Sequence, residues 1–176
     1  FCHNLPHIIK NVVCWFITDY FAGESSGKKT KPPVLTLNTL NLLNIDFNYD
    51  DFRKGYSDFG IDYDHIAAKK VNLFVENFKS ERGELSFDIR NLSTKERSGI
   101  ELKKFSTHAR ISSKGLKLNH LIIQTSNSFV SAPKLYILTN QYTDFYSAED
   151  SLTFDAHLNK SHVSLYDVSI FASALE

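Results

Sequence analysis

The stretch LTLNTLNLLNIDFNY, residues 35–49, contains the pattern that decides the fold. Apolar residues alternate there with Asn, Thr and Asp, and a period of two is typical of a half-buried β-strand. The alternation recurs to the end of the chain in roughly ten to twelve runs of about four to eight residues, the usual length of a strand. Polar residues and glycine fill joints such as residues 80–83, 95–99 and 112–115. We find no convincing helical period after residue 34, so residues 34–176 are predicted to be all-β.

The residues before this region have a helical period. Apolar residues recur every four positions from Ile8 to Tyr20, with a second apolar row beside them, and Pro6 and Gly23 suit the two ends of a helix. We therefore predict an amphipathic helix within residues 1–22 and a Gly-, Ser-, Lys- and Pro-rich linker over residues 23–33. An amphipathic helix of this kind packs on a core, closes a cavity or lies on a membrane. We expect this one to lie across or inside a curled sheet.

Composition sets the broad class of the protein. The chain has 176 residues, 42% of them hydrophobic, and its 20 Lys and Arg balance 20 Asp and Glu. This is ordinary for a soluble globular domain and argues against intrinsic disorder and against a nucleic-acid partner. No run reaches the roughly eighteen apolar residues that cross a bilayer. Because the chain starts at Phe1 and contains no Met, we expect it to be an excerpt of a longer protein.

Signals of enzymatic chemistry are poor. The sequence has no GxSxG, P-loop, GxGxxG or HExxH motif, so we expect neither catalysis nor a cofactor. Cys2 and Cys14 are too few for a disulfide scaffold, and a bond between them is compatible with the sequence but unsupported. His3 and His7 lie four apart, which would suit a zinc-binding helix face, but Pro6 stands between them. A frayed terminus is the favoured interpretation.

Six aspartates cluster between Ile45 and His65. Calcium prefers several oxygen ligands within a short loop, but no EF-hand spacing is present. Several of these aspartates alternate with apolar residues, as on the solvent face of strands, and this interpretation is favoured over a calcium site. The six residues are Asp46, Asp50, Asp51, Asp58, Asp62 and Asp64.

A six-residue pattern, apolar-x-apolar-x-x-apolar, recurs irregularly along the chain. The extra residue before its third apolar position reverses the alternation, so a strand must bend, bulge or turn there. The copies are Leu35/Leu37/Leu40, Ile100/Leu102/Phe105, Leu116/Leu118/Leu121 and Val163/Leu165/Val168.

The alternation predicts a sheet with one apolar and one polar face. A large sheet of that kind folds over as a sandwich, a barrel or a curled groove, with its interior filled by side chains or left for an apolar ligand. The alternation does not distinguish an interior filled by side chains from one left open for an apolar ligand. The predicted lining of the apolar side is Leu85, Phe87, Ile89, Leu102, Ile111, Leu116, Leu118, Ile123, Leu135 and Ile137.

Three stretches resemble a known family. They are DYFAGESSGKKTKPPVLTLNTLNLLNIDFNYDD (residues 19–51), RSGIELKKFSTHARISSKGLKLNHLIIQTSNSFV (97–130) and HLNKSHVSLYDVSIFASALE (157–176). Together they resemble the TamB/AsmA-like translocation and assembly module proteins of Bacteroidota type, which belong to the bridge-like lipid transfer proteins. The closest likeness lies in residues 98–106 and 113–128, and the chain resembles a fragment from the N-terminal half of such a protein. The shared motifs are structural and contain no catalytic group.

The resemblance implies a fold and a function. The expected fold is an elongated, twisted antiparallel sheet, curled into a taco-like groove with an apolar interior along which phospholipid acyl chains pass between the inner and outer membranes. It implies a periplasmic location and a role in outer-membrane biogenesis. The parent protein would be anchored in the inner membrane, with a BamA-like outer-membrane barrel as a partner. The alternative that the residues leave open is a structural or adhesive cell-surface β-domain with a filled core and no ligand.

Overall fold

The structure is a computed structural model that describes residues 34–81, 83–138 and 153–172. The predicted helix of residues 1–22, the linker of residues 23–33, both cysteines, His3 and His7 lie outside the described residues. The described strands are β1 (Leu35–Asp50), β2 (His65–Glu81), β3 (Glu84–Glu96), β4 (Glu101–Ser112), β5 (Gly115–Thr125), β6 (Phe129–Leu138) and β7 (Thr153–His157). One helix, α1 (Leu165–Ala172), follows them.

The strands form one antiparallel meander. Their order in the sheet is the order in the sequence, from β1 to β7, and every neighbouring pair is antiparallel. The connections after β2, β3 and β4 fall at the three predicted joints. The prediction of a mostly antiparallel β-structure is therefore confirmed. The sheet is open rather than closed, because β1 and β7 are the ends of its strand order in the described part of the chain.

The strands are fewer and longer than the sequence predicts. Residues 35–49 alternate in three short runs, but they lie in the single 16-residue strand β1. The reason is local: Asn44, Lys70, Asn77 and His120 have positive φ angles within strands, and the pairing register shifts beside them. A bulge of this kind adds one residue and reverses the alternation without ending the strand. The interruptions in the sequence pattern are thus bulges inside long strands.

The six-residue pattern marks some of these bulges. In β5 the extra residues include His120, with a φ of 53°, and the register between β4 and β5 shifts beside it, between Ser106 and His108. In β4 the register shifts between Leu102 and Lys104, inside the second copy. The first and third copies lie on strands, and the second lies on β4 except for Ile100, which precedes it. The fourth does not, because its last two apolar positions belong to α1.

Helix α1 corrects the prediction that no helix follows residue 34. Its start is capped by Ser164, whose Oγ accepts a hydrogen bond from the N–H of Tyr166 at 3.2 Å and whose carbonyl accepts one from Val168. The sequence held a signal for this start, because Ser164 precedes Asp167 by three residues, the spacing of a capping box. The strand-like pattern across the same residues obscured it.

The fully buried apolar positions lie mainly in the middle of the sheet and under α1. Leu121 and Ala132 are paired partners on β5 and β6, and they are 1% and 0% exposed. Ile170 of α1 is also inaccessible to solvent. β6 approaches the backbone of β5 closely at Gly115, where φ is 125° and a Cβ atom would stand 2.1 Å from the carbonyl oxygen of Ile137. Only glycine fits at that position.

Candidate functional site

Strand β4 shows which side chains share one face of the sheet. Phe105, Thr107, Ala109 and Ile111 occupy every second position of this strand and therefore share one face. Directly opposed residues on neighbouring strands lie on the same face, so the pairing register extends this set across the sheet. We call the set the apolar face. For example, Ile111 is paired with Leu85 on β3 and with Leu116 on β5.

The register places all ten predicted lining residues on the apolar face. They form transverse rows that run across the strands. The first row is Leu85, Ile111, Leu116 and Ile137, and the second is Phe87, Ala109, Leu118 and Leu135. Ile89 faces Thr107, Leu102 faces Thr125, and Ile123 faces Phe105. That these residues line a groove for lipid stays a prediction.

Other residues of the same face were missed by the sequence analysis. A third row runs through Leu42, Leu73, Leu92, Phe105, Ile123 and Val130, from β1 to β6. Leu121 joins the face because it lies two positions before Ile123, and it is the most buried leucine among the described residues. Leu121 and Phe105 are third apolar positions of the six-residue pattern. The reversal of alternation within that pattern was the signal that could have assigned them to the apolar face.

The opposite face of the sheet carries polar and charged side chains, and we call it the polar face. One row contains Glu76, Asp88, His108, Asn119 and Lys134, and the next contains Lys79, Ser86, Arg110, Lys117, Tyr136 and Asp155. Arg90 and Glu76 form an ion pair, as do Lys134 and Asp155. Tyr136 donates a hydrogen bond of 2.9 Å to Oδ1 of Asn119. These two rows are therefore polar where the rows of the apolar face are apolar.

Asp88 is the best-connected carboxylate of the polar face. Its Oδ1 lies 2.8 Å from Nδ1 of His108, and its Oδ2 accepts a hydrogen bond of 2.8 Å from the side chain of Asn77. Burial opposes its ionisation, but the hydrogen bonds from Asn77 and His108 outweigh burial and hold the pKa of Asp88 below its usual range. Asp88 is thus a carboxylate at neutral pH and fixes the His108 ring.

A second polar cluster lies where the loop of residues 51–64 meets the sheet. Oδ2 of Asp62 lies 3.0 Å from Nδ1 of His65, accepts a hydrogen bond of 2.8 Å from the N–H of Ser57 and is 3.4 Å from Nη2 of Arg97. Burial opposes ionisation, but the hydrogen bonds from Ser57 and His65 prevail, so the pKa of Asp62 is lowered. The Tyr56 ring stacks on His65, with centroids 4.0 Å apart. The cluster fixes the loop against β2 and β3.

Two features of this cluster bear on chemistry. His65 is 1% exposed, and its Nε2 has no hydrogen-bond partner among the described residues. A cleft of about 250 Å³ opens beside the cluster. It is lined by Ser57, Asp58, Phe59, Gly60, Asp62, Glu96, Arg97 and Ser98. Asp62 of the pair lines the cleft, whereas His65 does not.

Three aspartates of the cluster between Ile45 and His65 have separate partners. Oδ1 of Asp46 accepts the N–H of Lys70, Oδ1 of Asp50 accepts the hydroxyl of Tyr56, and Asp51 pairs with Arg53. The hydrogen bonds from Arg53 lower the pKa of Asp51 to about 2. In the described part of the chain, no group of three or more His, Cys, Asp or Glu side chains is arranged to hold a metal ion. Asp46, Asp50 and Asp51 are thus engaged separately, whereas Asp58 and Asp62 line the same cleft.

Helix α1 is anchored to the sheet by a buried carboxylate. Asp167 is 4% exposed and accepts hydrogen bonds from the side chains of Thr125, Asn127 and Ser128. Burial opposes its ionisation, but these hydrogen bonds outweigh burial and lower the pKa of Asp167. Because Thr125 is paired with Leu102, the anchor lies at one end of the apolar face. The helix also accepts a hydrogen bond at Ile170 from the N–H of Ile61.

Comparison of the chain with protein-family models, with curated proteins and with solved structures gave no match. Within the described ranges, no helix has the length and apolar character needed to cross a membrane.

Proposed function

We propose that this chain is a segment of a TamB/AsmA-like periplasmic bridge, in which the apolar face binds the acyl chains of phospholipids on their way between the inner and outer membranes. The observation that carries the proposal is the continuity of the apolar rows. The third row passes through six strands, from Leu42 on β1 to Val130 on β6, and every position in it is apolar.

The direction of these rows suits an acyl chain. Strands in a sheet are about 4.8 Å apart, so a chain lying along a row would meet an apolar side chain at each strand. Each buried CH₂ group contributes about 0.8 kcal/mol, without any requirement for a specific partner atom. Charged side chains such as Arg90 and Lys134 are kept on the polar face. Lipid would therefore contact one side of the sheet and water the other.

The wider role rests on the resemblance of residues 19–51, 97–130 and 157–176 to this family. We propose that the parent protein is anchored in the inner membrane, works in the periplasm and supports outer-membrane biogenesis. Its partner at the outer membrane would be a BamA-like barrel that binds outside this segment. The segment would transport lipid without catalysing a reaction, binding a cofactor or contacting nucleic acid.

The test uses two neighbouring residues of β5 that lie on opposite faces. A photo-crosslinking amino acid is introduced at Leu118, on the apolar face, or at Lys117, on the polar face, which is the matched control. The protein is crosslinked in cells, and bound phospholipid is detected by mass spectrometry. We expect lipid adducts at position 118 and none at position 117. Equal labelling at both positions, or none at either, would contradict the proposal.

Charge substitution separates an open lipid path from a filled core. Leu102 and Leu118 are half-buried, so a carboxylate at either position can reach water if the face is open. We expect Leu102→Asp and Leu118→Asp to stay folded by circular dichroism and to lose bound lipid. In a closed, dry core the same charge would cost several kcal/mol and unfold the protein. Unfolding of both variants, with no lipid on the parent protein, would support the structural or adhesive domain instead.

A further inference from the structure

A second cleft, on the polar face, contains two histidines. It has a volume of about 250 Å³, and its wall includes Asp88, Arg90, His108 and His120. His108 lies on β4, and His120 lies on β5 directly after Asn119, the residue that pairs with His108. The imidazole nitrogen is a good ligand for zinc and for other first-row transition metals. The cleft therefore brings together two side chains of a type that binds such metals.

The bulge in β5 brings His120 to this cleft. In an unbroken alternation, residue 120 would share the apolar face with Leu118, which lies two positions before it. His120 instead has a φ of 53°, and the pairing of β4 with β5 shifts register beside it. Bulges change the direction of a side chain in this way. His120 is exposed and lines the same cleft as His108, so both imidazoles lie on the polar side of the sheet.

Asp88 holds His108 in the form that a metal ion requires. An ionised carboxylate only accepts hydrogen bonds, so Nδ1 of His108, 2.8 Å from Oδ1 of Asp88, carries the ring proton. In the neutral ring, Nε2 then keeps its lone pair, and 40% of the side chain is exposed. Histidines that bind metals typically donate their other ring N–H to a carboxylate, which fixes the tautomer and makes the ligand more basic. Asp88 and His108 have this arrangement.

The charges around the cleft favour a cation. Arg90 puts a positive charge on the wall, but it forms an ion pair with Glu76 and lies 4.0 Å from Asp88. One positive charge therefore faces two negative charges while both histidines are neutral. A cation that enters the cleft is attracted by the excess negative charge.

We propose that His108 and His120 bind one transition-metal ion such as Zn²⁺, with Nε2 of His108 as a ligand and Asp88 as the residue that positions its ring. Zinc is usually four-coordinate, so water would fill the positions that the two histidines leave. Such an open, reversible site agrees with the lack of a cluster of three metal-binding side chains among the described residues. The site lies on the face opposite the proposed lipid path, so the ion is no cofactor of transport and its test does not depend on the proposed function.

Calorimetric titration of the whole chain with Zn²⁺ at neutral pH tests the site. We expect a binding event that His108→Ala and His120→Ala each remove. Asp88→Asn should keep the event but weaken it by about tenfold or more, as expected of a residue that positions a metal ligand. His157→Ala changes an exposed histidine of β7 and is the matched control, which should bind as the unmodified chain does. Circular dichroism checks that each variant is folded, and His120 is exposed, so its loss should not disturb the fold.

Nitrogen-15 NMR of the imidazole rings identifies the ligand atoms. When Zn²⁺ is added, we expect Nε2 of His108 to take the chemical shift of a metal-bound nitrogen while Nδ1 keeps its proton. Zinc on Nδ1 of His108, or no zinc binding by the unmodified chain, would overturn the proposal. Unchanged affinity in His108→Ala or His120→Ala would do the same, because the ion would then lie elsewhere. If Asp88→Asn binds as tightly as the unmodified chain, Asp88 does not position the ligand.

Discussion

The two faces of the sheet hold the protein together in different ways. The apolar face is built from rows of Leu, Ile, Val and Phe that continue from strand to strand. The polar face is built from separate pairs, such as Arg90 with Glu76 and Asp88 with His108. Hydrophobic burial is proportional to area and has no direction, whereas each polar pair requires its own geometry and competes with water. Stability should therefore depend mainly on the deepest positions of the apolar face.

The largest effect is expected at the centre of the apolar face. Leu121 is 1% exposed, and truncating a buried leucine leaves a cavity, so Leu121→Ala should lower the free energy of unfolding by about 3 kcal/mol. Gln124→Ala, on an exposed position of the same strand, is the control and should change it by less than about 0.5 kcal/mol. Urea denaturation measures both values. Similar losses for the two variants would contradict the difference between the faces.

A smaller effect is expected where a polar group is buried at the end of the apolar face. Asp167→Ala removes the acceptor of three side-chain hydrogen bonds from Thr125, Asn127 and Ser128, and should lower the free energy of unfolding by about 2 kcal/mol. Amide hydrogen exchange should rise first in α1, which the carboxylate anchors. Asp155→Ala, which breaks an exposed pair with Lys134, serves as the control. Unchanged exchange in α1 would show that Asp167 is not the anchor.

The smallest effect is expected on the polar face, and it depends on pH. The folded pKa of Asp88 is lowered, so its carboxylate contributes stability that is fully present above its unfolded pKa of about 4 and is lost as pH falls through the folded value. Asp88→Asn should cost about 1 kcal/mol at pH 7, and less on acidification. Melting temperatures of the variant and the parent, measured from pH 7 down to acidic pH, give the difference in stability between them. A difference that stays constant at all pH values would contradict a stabilising role of the ionised Asp88 carboxylate.

Much of the candidate site could be predicted because it follows from local alternation. Residues such as Leu116 and Leu118 are separated by one polar residue, and this spacing alone puts them on one face of a strand. The face of Leu121 could not be assigned in the same way, because the bulge at His120 adds a residue between it and Leu118. The pattern indicated that the strand bends, bulges or turns there, but it did not decide among the three. The anchor of α1 was also missed, since Asp167 forms its hydrogen bonds with residues 39 to 42 positions away in the sequence.

The sequence by itself determined the antiparallel meander, the positions of three turns and the polarity of the two faces, because each depends on contacts between residues that are close along the chain. The tertiary structure decided how many strands those runs become. Two runs form one strand only when the residues before and after the bulge pair with the same neighbouring strand. It also decided that residues 165–172 form a helix, which Asp167 fastens to the turn between β5 and β6. A hydrogen bond between residues 39 positions apart has no local signal, so only the folded chain could show it.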